Sequence, residues 1–390
     1  MKILQVCPKF HHSVASGSTM IAYYISKELA RRGHSVTVYT SDMKDKYTRI
    51  NSGIEKIGGV KVHRFRSVGT VATRKMKIFV TPMSISALKN EVCSFDIVHV
   101  HECRSFQSVV VHHYAKKYGV PYVLQAHGSL PRIGSWRRLK WFYDVLFGYR
   151  LLRDASKVIA LNQMEAEHYK NMGVPEEKIA IIPNGIDLSE YANLPPKGAF
   201  KRKFGIPEDK KIILYLGRIH KIKGIDFLIK AYAYLTKKMD CKDAVLVIAG
   251  PDDGYLNEAK TLACSLGVSD SVLFTGLLSE KDKINAFVDS CLCAYLGQNE
   301  PFGIVTLESA ASCTPVIVCE QTPMSDIVKD GDFGFSVKYG DINELAEIMH
   351  KMVNDENLLR EMGRKGREFV FENYNWANII TKLEKIYEEL

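Results

Sequence analysis

The sequence predicts an α/β protein built from two open, mostly parallel-sheet domains in tandem. Short β-branched runs alternate with segments of helical period, a polar stretch interrupts that alternation near the middle, and the same alternation then restarts. The chain begins Met1-Lys2-Ile3-Leu4-Gln5-Val6-Cys7, which reads as a strand. Helical patterns over Thr19 to Arg32 and Gln107 to Tyr118 lie among strand-like runs at 35–39, 96–100 and 157–160, as βαβ units require. From about Asp187 to Lys211 the chain turns polar and carries Pro195-Pro196 and Lys197-Gly198, the composition of a domain boundary. Strand pattern resumes at Ile212 to Gly217 and recurs at 244–249, 271–274, 291–295, 315–318 and 334–337, before helical sequence from Ile342 to Leu390. Two such domains imply an interdomain cleft in which ligands meet the carboxyl ends of the strands.

Composition narrows the classes. A chain of 390 residues exceeds one core, and 46% hydrophobic with 25% charged residues is ordinary for a globular protein. Nine cysteines without paired spacing beyond Cys291-Leu292-Cys293 form neither a disulfide framework nor a zinc pattern, which fits a reducing cytoplasm. No signal peptide or membrane-length apolar stretch is expected. Net charge is +9, with the basic excess in the first half. There, cations alternate with large aromatics from Arg132 to Phe142 and onward to Phe147. As a helix, Trp136 to Phe147 suits peripheral contact with anionic membrane; the alternative is a surface helix with its aromatics on the core and its arginines solvated. No nucleic-acid-binding motif accompanies the patch, so nucleic acid is not an expected partner.

The most informative run is Asn299-Glu300-Pro301-Phe302-Gly303-Ile304-Val305-Thr306-Leu307-Glu308. A Pro-Phe-Gly turn follows Glu300, and Ile304 to Ser312 can form a helix without a breaker. At ~1.5 Å per residue the two carboxylates would be at most roughly 12 Å apart along the axis, with a helix N-terminus between them that favours an anion. A sugar, a diphosphate and a ribose joined in line would fit that spacing.

Five elements, in order, resemble the retaining glycosyltransferases of family 4, also called glycosyl transferases group 1. They are the N-terminal strand, loop and helix; Ala126-His127-Gly128; Ile182-Pro183-Asn184-Gly185-Ile186-Asp187; Gly217-Arg218 to Lys223-Gly224; and the glutamate pair. The resemblance spans nearly the whole chain and implies two facing Rossmann-like domains, the GT-B architecture. On that template residues 1–190 form an acceptor-binding domain and residues 191–373 a nucleotide-sugar-binding domain. A C-terminal helix, 374–390, returns to the first.

The resemblance also implies roles. Arg218 and Lys223 follow the first strand of the second domain, where two cations can neutralise a leaving diphosphate without a metal. Glu308 would accept from ribose hydroxyls and Glu300 from donor-sugar hydroxyls, while amides near Gly303, Ile304 and Val305 would face the sugar and phosphates, with Phe302 in the same donor-binding set. Leu277, in the strand-end segment Gly276-Leu277-Leu278, would help choose the donor. His127 would line the reaction centre; without the resemblance, a lone strand-end histidine reads as structural. The catalytic set is therefore His127, Arg218, Lys223 and Glu300. The family usually carries a Gly-Gly pair after the first strand; here only Gly17 can supply a close backbone approach, and His11 and His12 read as exposed loop histidines, with acceptor contact as the alternative.

No metal or other cofactor is expected. His99 and His101 alternate on a strand but lack further ligands, so they read as strand-end residues near the cleft, and Asp330-Gly331-Asp332 reads as a turn. Neither a Walker loop nor a G-x-G-x-x-G fingerprint occurs, against ATP hydrolysis and dinucleotide redox chemistry. The expected function is transfer of a hexose-type sugar from a nucleoside diphosphate sugar, UDP ahead of GDP, to a hydroxyl of a glycan or lipid-linked acceptor in cell-surface polysaccharide or glycoconjugate synthesis, with retention. A nucleotide-sugar epimerase of the same fold and a non-catalytic nucleotide-sugar-binding protein are the alternatives. The expected location is cytoplasmic, with peripheral contact at the inner membrane face.

Overall fold

The computed structural model describes residues 1–11, 17–44, 47–69, 79–133, 136–298 and 300–390. The chain forms two compact units, Met1–Gly185 with Trp376–Leu390 and Ile186–Asn375. Both are α/β units with mostly parallel sheets. In the first, the strands are β1 (Lys2–Val6), β2 (Ser35–Ser41), β3 (Gly53–Ile57), β4 (Val60–Phe65), β5 (Ile97–His101), β6 (Tyr122–Gln125), β7 (Lys157–Ala160) and β8 (Ile179–Ile181). Their order among the described residues is β3-β4-β2-β1-β5-β6-β7-β8, with β3 antiparallel to β4 and the other pairs parallel. The second unit holds β9 (Lys211–Leu216), β10 (Ala244–Ala249), β11 (Val272–Gly276), β12 (Ser290–Tyr295), β13 (Val316–Cys319) and β14 (Gly334–Val337). They run β11-β10-β9-β12-β13-β14, every pair parallel.

This order explains where chemistry can occur. In each sheet the winding reverses beside the first strand, between β1 and β5 and between β9 and β12. Loops leaving the carboxyl ends of those strands diverge to opposite faces, so a crevice opens there. The strands that create it are apolar because helices cover both faces: β9 buries Ile212, Ile213, Leu214 and Tyr215 completely or nearly so. The helix Ile225–Lys238 packs on it with Ile225, Leu228, Ile229, Tyr232 and Leu235, the three-to-four spacing of one helical face. Truncating Leu228 to Ala would cost about 2–5 kcal/mol.

The helical sequence after residue 341 resolves into three helices, Ile342–Asn354, Glu356–Asn373 and Trp376–Glu388. Asp341 and Asp355 set the first two, accepting from the Glu344 and Leu358 amides at 3.0 and 2.9 Å. The last helix belongs to the first unit. Arg32 bonds Glu384 at 2.6 Å, His34 meets the same carboxylate at 2.9 Å, and Trp376 stacks on Tyr24. The second unit begins at Ile186 rather than 191, because the Ile186 amide bonds the Tyr374 carbonyl at 2.9 Å and its backbone bridges to Asn375.

Two expectations change. His11 is buried, with Nε2 3.0 Å from the Lys44 carbonyl, so it is no exposed loop histidine; His12 lies outside the described residues. His99 and His101 are also buried within the sheet. Asp330 and Gly331 end the helix Pro323–Gly331 instead of forming a free turn, and Asp332 pairs with Lys365 at 2.7 Å.

Candidate functional site

The second unit's switch point gathers most of the expected residues. After β9 the chain runs through Gly217, Arg218 and Ile219 to His220, whose ring accepts from the Ile222 amide and caps a short turn at Lys221–Lys223. Gly224 then takes φ +70°, and a Cβ on it would lie 2.6 Å from the Leu296 carbonyl oxygen. Only glycine allows the loops after β9 and β12 to press together this closely. That contact seats Lys223, which is 7% exposed, against Glu300.

Lys223 Nζ pairs directly with Glu300 Oε1, and the Tyr295 hydroxyl donates to Glu300 Oε2 at 2.9 Å. Lys223 Nζ also lies 5.7 Å from the Tyr295 ring centroid. Burial, with the Glu300 charge added, raises the Tyr295 phenol well above its usual range, so it stays a donor. A buried pair of this kind is held by mutual need, since either charge alone would be strongly penalised.

Phe302 is buried and meets Tyr374 with ring centroids 6.3 Å apart, so its side chain is packing and only its backbone remains for a ligand. Gly303 follows at φ +67°, where a Cβ would come within 2.7 Å of Met324 Cγ. It opens the helix Ile304–Ala311 without a side-chain cap. The first amides of a helix, here those of Ile304 and Val305, have no intrahelical carbonyl to meet and favour an anion. The helix ends at Ala311, one residue short of the expected Ser312.

Glu308, in the second turn, is gripped by Lys283 at 2.9 Å. Burial pulls the Lys283 ammonium down, but Glu308 and the nearby Tyr191 more than offset this and hold it above the ordinary lysine range. Glu280 adds a contact at 2.6 Å. Arg218 pairs with Asp253 and stays about half exposed, a surface pair of little strength. Leu277, just past β11, is 72% exposed. Lys283, Asp253 and Tyr295 are partners of the candidate residues that sequence reading missed; each reaches its partner across 25 residues, 35 residues or a strand-end turn, and no motif marks them.

Two expected residues belong to the first unit. Gly17 opens the helix Gly17–Arg31, with nothing within 4 Å of a Cβ placed on it. His127 follows β6 with φ +53°, held by the Ala126 amide on the Tyr169 hydroxyl at 2.9 Å and the Gly128 amide on buried Glu165 at 2.5 Å. Burial lowers the His127 pKa to about 3, so the ring is neutral near pH 7. Its Nε2 lies 2.9 Å from His101 Nδ1.

The basic aromatic segment is helical over Arg137–Tyr143, continues as a π-helical turn over Asp144–Gly148, and ends as a helix over Tyr149–Asp154. Trp136, Trp141, Phe142 and Phe147 face solvent, not the core, Trp136 being 60% exposed and Phe142 56%, while the Tyr143 hydroxyl turns inward to the Cys103 and Ser105 carbonyls. Buried Asp144 anchors the segment, accepting from Arg104 and Arg132 at 2.8 Å each. A groove of about 1080 Å³ lies alongside, walled by Arg132, Arg137, Arg138, Trp141 and Phe142. Among the described residues no cluster of three or more His, Cys, Asp or Glu could hold a metal, and no helix is long and apolar enough to cross a membrane.

Residues 196–369 match the family described as Glycosyl transferases group 1, and residues 15–190 match Glycosyltransferase Family 4. An uncharacterized glycosyltransferase of Methanocaldococcus jannaschii is 27% identical, the alignment covering 100% of this chain and 98% of that protein. The N-acetyl-alpha-D-glucosaminyl L-malate synthase of Bacillus anthracis is 25% identical over 96% of this chain and 94% of its own length. Among solved structures, Anabaena HepE in complex with UDP and glucose aligns over the full length of both chains with a TM-score of 0.77 at 18% identity.

Proposed function

Starting from a chain that belongs to the family 4 glycosyltransferases and has the GT-B fold, we propose a retaining transfer of a hexose-type sugar from a nucleoside diphosphate sugar to an acceptor hydroxyl. The coarse activity, glycosyl transfer in glycoconjugate synthesis, comes with the family. UDP is the favoured nucleotide, with GDP second, and the UDP held by the HepE structure supports that order. The observation that carries the reading is the Lys223–Glu300–Tyr295 cluster beside the uncapped helix at Gly303.

The proposed chemistry follows from charge. As the sugar C–O bond to the diphosphate breaks, negative charge grows on the leaving phosphate and positive charge on the sugar. Lys223 exchanges Glu300 for phosphate, Arg218 leaves its weak pair with Asp253, and the Ile304 and Val305 amides add dipole, so no divalent metal is needed in this reading. Glu300, released from Lys223, accepts from sugar hydroxyls. Glu308, oriented by Lys283, accepts from the ribose diol. The acceptor oxygen attacks the face the phosphate leaves, and its proton passes to a phosphate oxygen.

The acceptor in this reading is a glycan or a lipid-linked acceptor. The exposed Trp136 to Phe147 surface, flanked by arginines, supports peripheral contact with anionic membrane. Flotation with phosphatidylglycerol vesicles should carry the protein upward, and a Trp141→Ser/Phe142→Ser variant should stay behind; equal flotation on neutral vesicles contradicts the contact.

Incubating the protein with UDP- and GDP-sugars in the presence of a chelator, while following nucleotide release and the anomeric proton by NMR, tests the whole reading. One donor should hydrolyse slowly without acceptor, and transfer should keep the anomeric configuration. Inversion, or release of an isomerised sugar, would overturn it.

A further inference from the structure

The first unit contains a run of buried side-chain hydrogen bonds that the transfer reading leaves unused. It starts on the C-terminal helix, where the Tyr387 hydroxyl lies 2.6 Å from His99 Nδ1 and 3.5 Å from Gln5 Nε2. Gln5 Oε1 is 2.7 Å from His101 Nε2, and His101 Nδ1 is 2.9 Å from His127 Nε2. Gln5, His99, His101 and Tyr387 are at most 2% exposed. The imidazoles stack in sequence, with centroids 4.3 Å apart for His99 and His101 and 5.1 Å for His101 and His127.

The protons in this run follow from what each group can do. Gln5 directs its amide nitrogen to the Tyr387 oxygen, so its carbonyl faces His101 and can only accept. His101 Nε2 must therefore carry a hydrogen. A neutral imidazole has one, so His101 Nδ1 is bare and accepts from His127 Nε2–H. His127 Nδ1 is then bare as well. Burial keeps all three rings neutral: it lowers His99 and His127 to about 3 and His101 well below the usual value, with the neighbouring rings adding repulsion at His99 and His101. His127 Nδ1 is itself buried and has no protein partner among the described residues. A buried polar atom without a partner is costly and calls for one.

We propose that His101, Gln5 and Tyr387 are positioning residues that fix His127 in its Nε2–H form and present Nδ1 at the carboxyl end of β6 as a bare acceptor for a ligand hydroxyl. The backbone bonds of Ala126 and Gly128 hold the ring's base independently, so the network sets the proton rather than the position. An atom of this character takes an O–H or N–H donor, as on a sugar, and gives a phosphate oxygen nothing. The hydroxyl half rests on the transfer reading; the tautomer half does not.

Two-bond proton–nitrogen spectra of ¹⁵N-histidine-labelled protein distinguish protonated from bare ring nitrogens. At pH 7 the wild type should show His127 with Nε2 protonated and Nδ1 bare. His101→Asn, whose side-chain oxygen can stand where Nδ1 stood, should keep that pattern. His101→Phe should lose it and give a mixture. Tyr387→Phe retains the ring and removes only the oxygen, so it serves if His101→Phe fails to fold, and it should also yield a mixture. A protonated Nδ1 in the wild type, or an unchanged Nε2–H pattern in His101→Phe or Tyr387→Phe, overturns the proposal. Adding the nucleotide sugar that turns over should move the His127 Nδ1 resonance, while UDP alone should not. Turnover without such a shift overturns the hydroxyl half. An intact tautomer with no nucleotide sugar bound instead counts against the transfer reading.

Discussion

The switch points of the two units solve the problem of buried polarity in opposite ways. In the second unit the largely buried groups of the candidate site are ions held in pairs, Lys223 with Glu300 and Lys283 with Glu308. In the first they are neutral rings and amides joined through shared protons, from Tyr387 to His127. Paired ions can exchange partners when a charged ligand arrives. A neutral proton-ordered chain cannot, but it fixes which atom donates and which accepts.

The largest effect that would break the comparison is acid destabilisation confined to the first unit. Three histidines have folded pKa values lowered below 6.5, so the unfolded chain binds protons that the folded chain refuses. Their stability is fully present above about pH 6.5 and is lost as pH falls toward about 3. With all three titrating, the loss approaches about 4 kcal/mol per pH unit. Hydrogen exchange at pH 7, 6 and 5 should show protection falling first in β1, β5 and β6; equal loss in β9 and β12 would remove the contrast.

Next in size is Lys223→Met. Leaving Glu300 buried without its cation should cost about 3–5 kcal/mol of stability, and adding Glu300→Gln should recover much of it. Denaturant titration of the two variants checks this, and an additive double variant would mean that the pair is not coupled. Arg218→Ala separates function from stability. Its half-exposed pair should contribute under about 1 kcal/mol to folding, whereas turnover should fall by a transition-state loss of about 3–4 kcal/mol. Unchanged kcat/KM would remove Arg218 from the site.

Much of this arrangement was legible in the sequence, for reasons that can be named. The strands of the second unit are short, apolar and separated by helical period, so Ile212 to Leu216 and Ala244 to Ala249 could be placed nearly to the residue. Glycines at 217, 224 and 303 marked the turns, because close packing and positive φ leave little choice there. The hairpin β3–β4 and the short β8 escaped notice, since β3 is mostly exposed and β8 has three residues. Partners escaped as well. Lys283 looks like one more surface lysine on an acidic helix until folding brings Glu308 beside it. His99 and His101 look like a strand-end pair until the C-terminal helix supplies Tyr387. The ring of Phe302 shows no local sign of its partner, because Tyr374 lies 72 positions later. Contacts distant in sequence leave no local pattern, and these define how the site works.

The most direct measurement of the central claim, that ion pairs in the second unit are exchanged for a nucleoside diphosphate, is calorimetric titration of UDP and GDP with a chelator present. The account predicts saturable binding of one of them without divalent metal, weakened at least tenfold in Arg218→Ala and more in the Lys223→Met/Glu300→Gln pair, equivalent to about 1.4 kcal/mol or more. Binding that requires a metal ion, or that is equally tight in both variants, would contradict it.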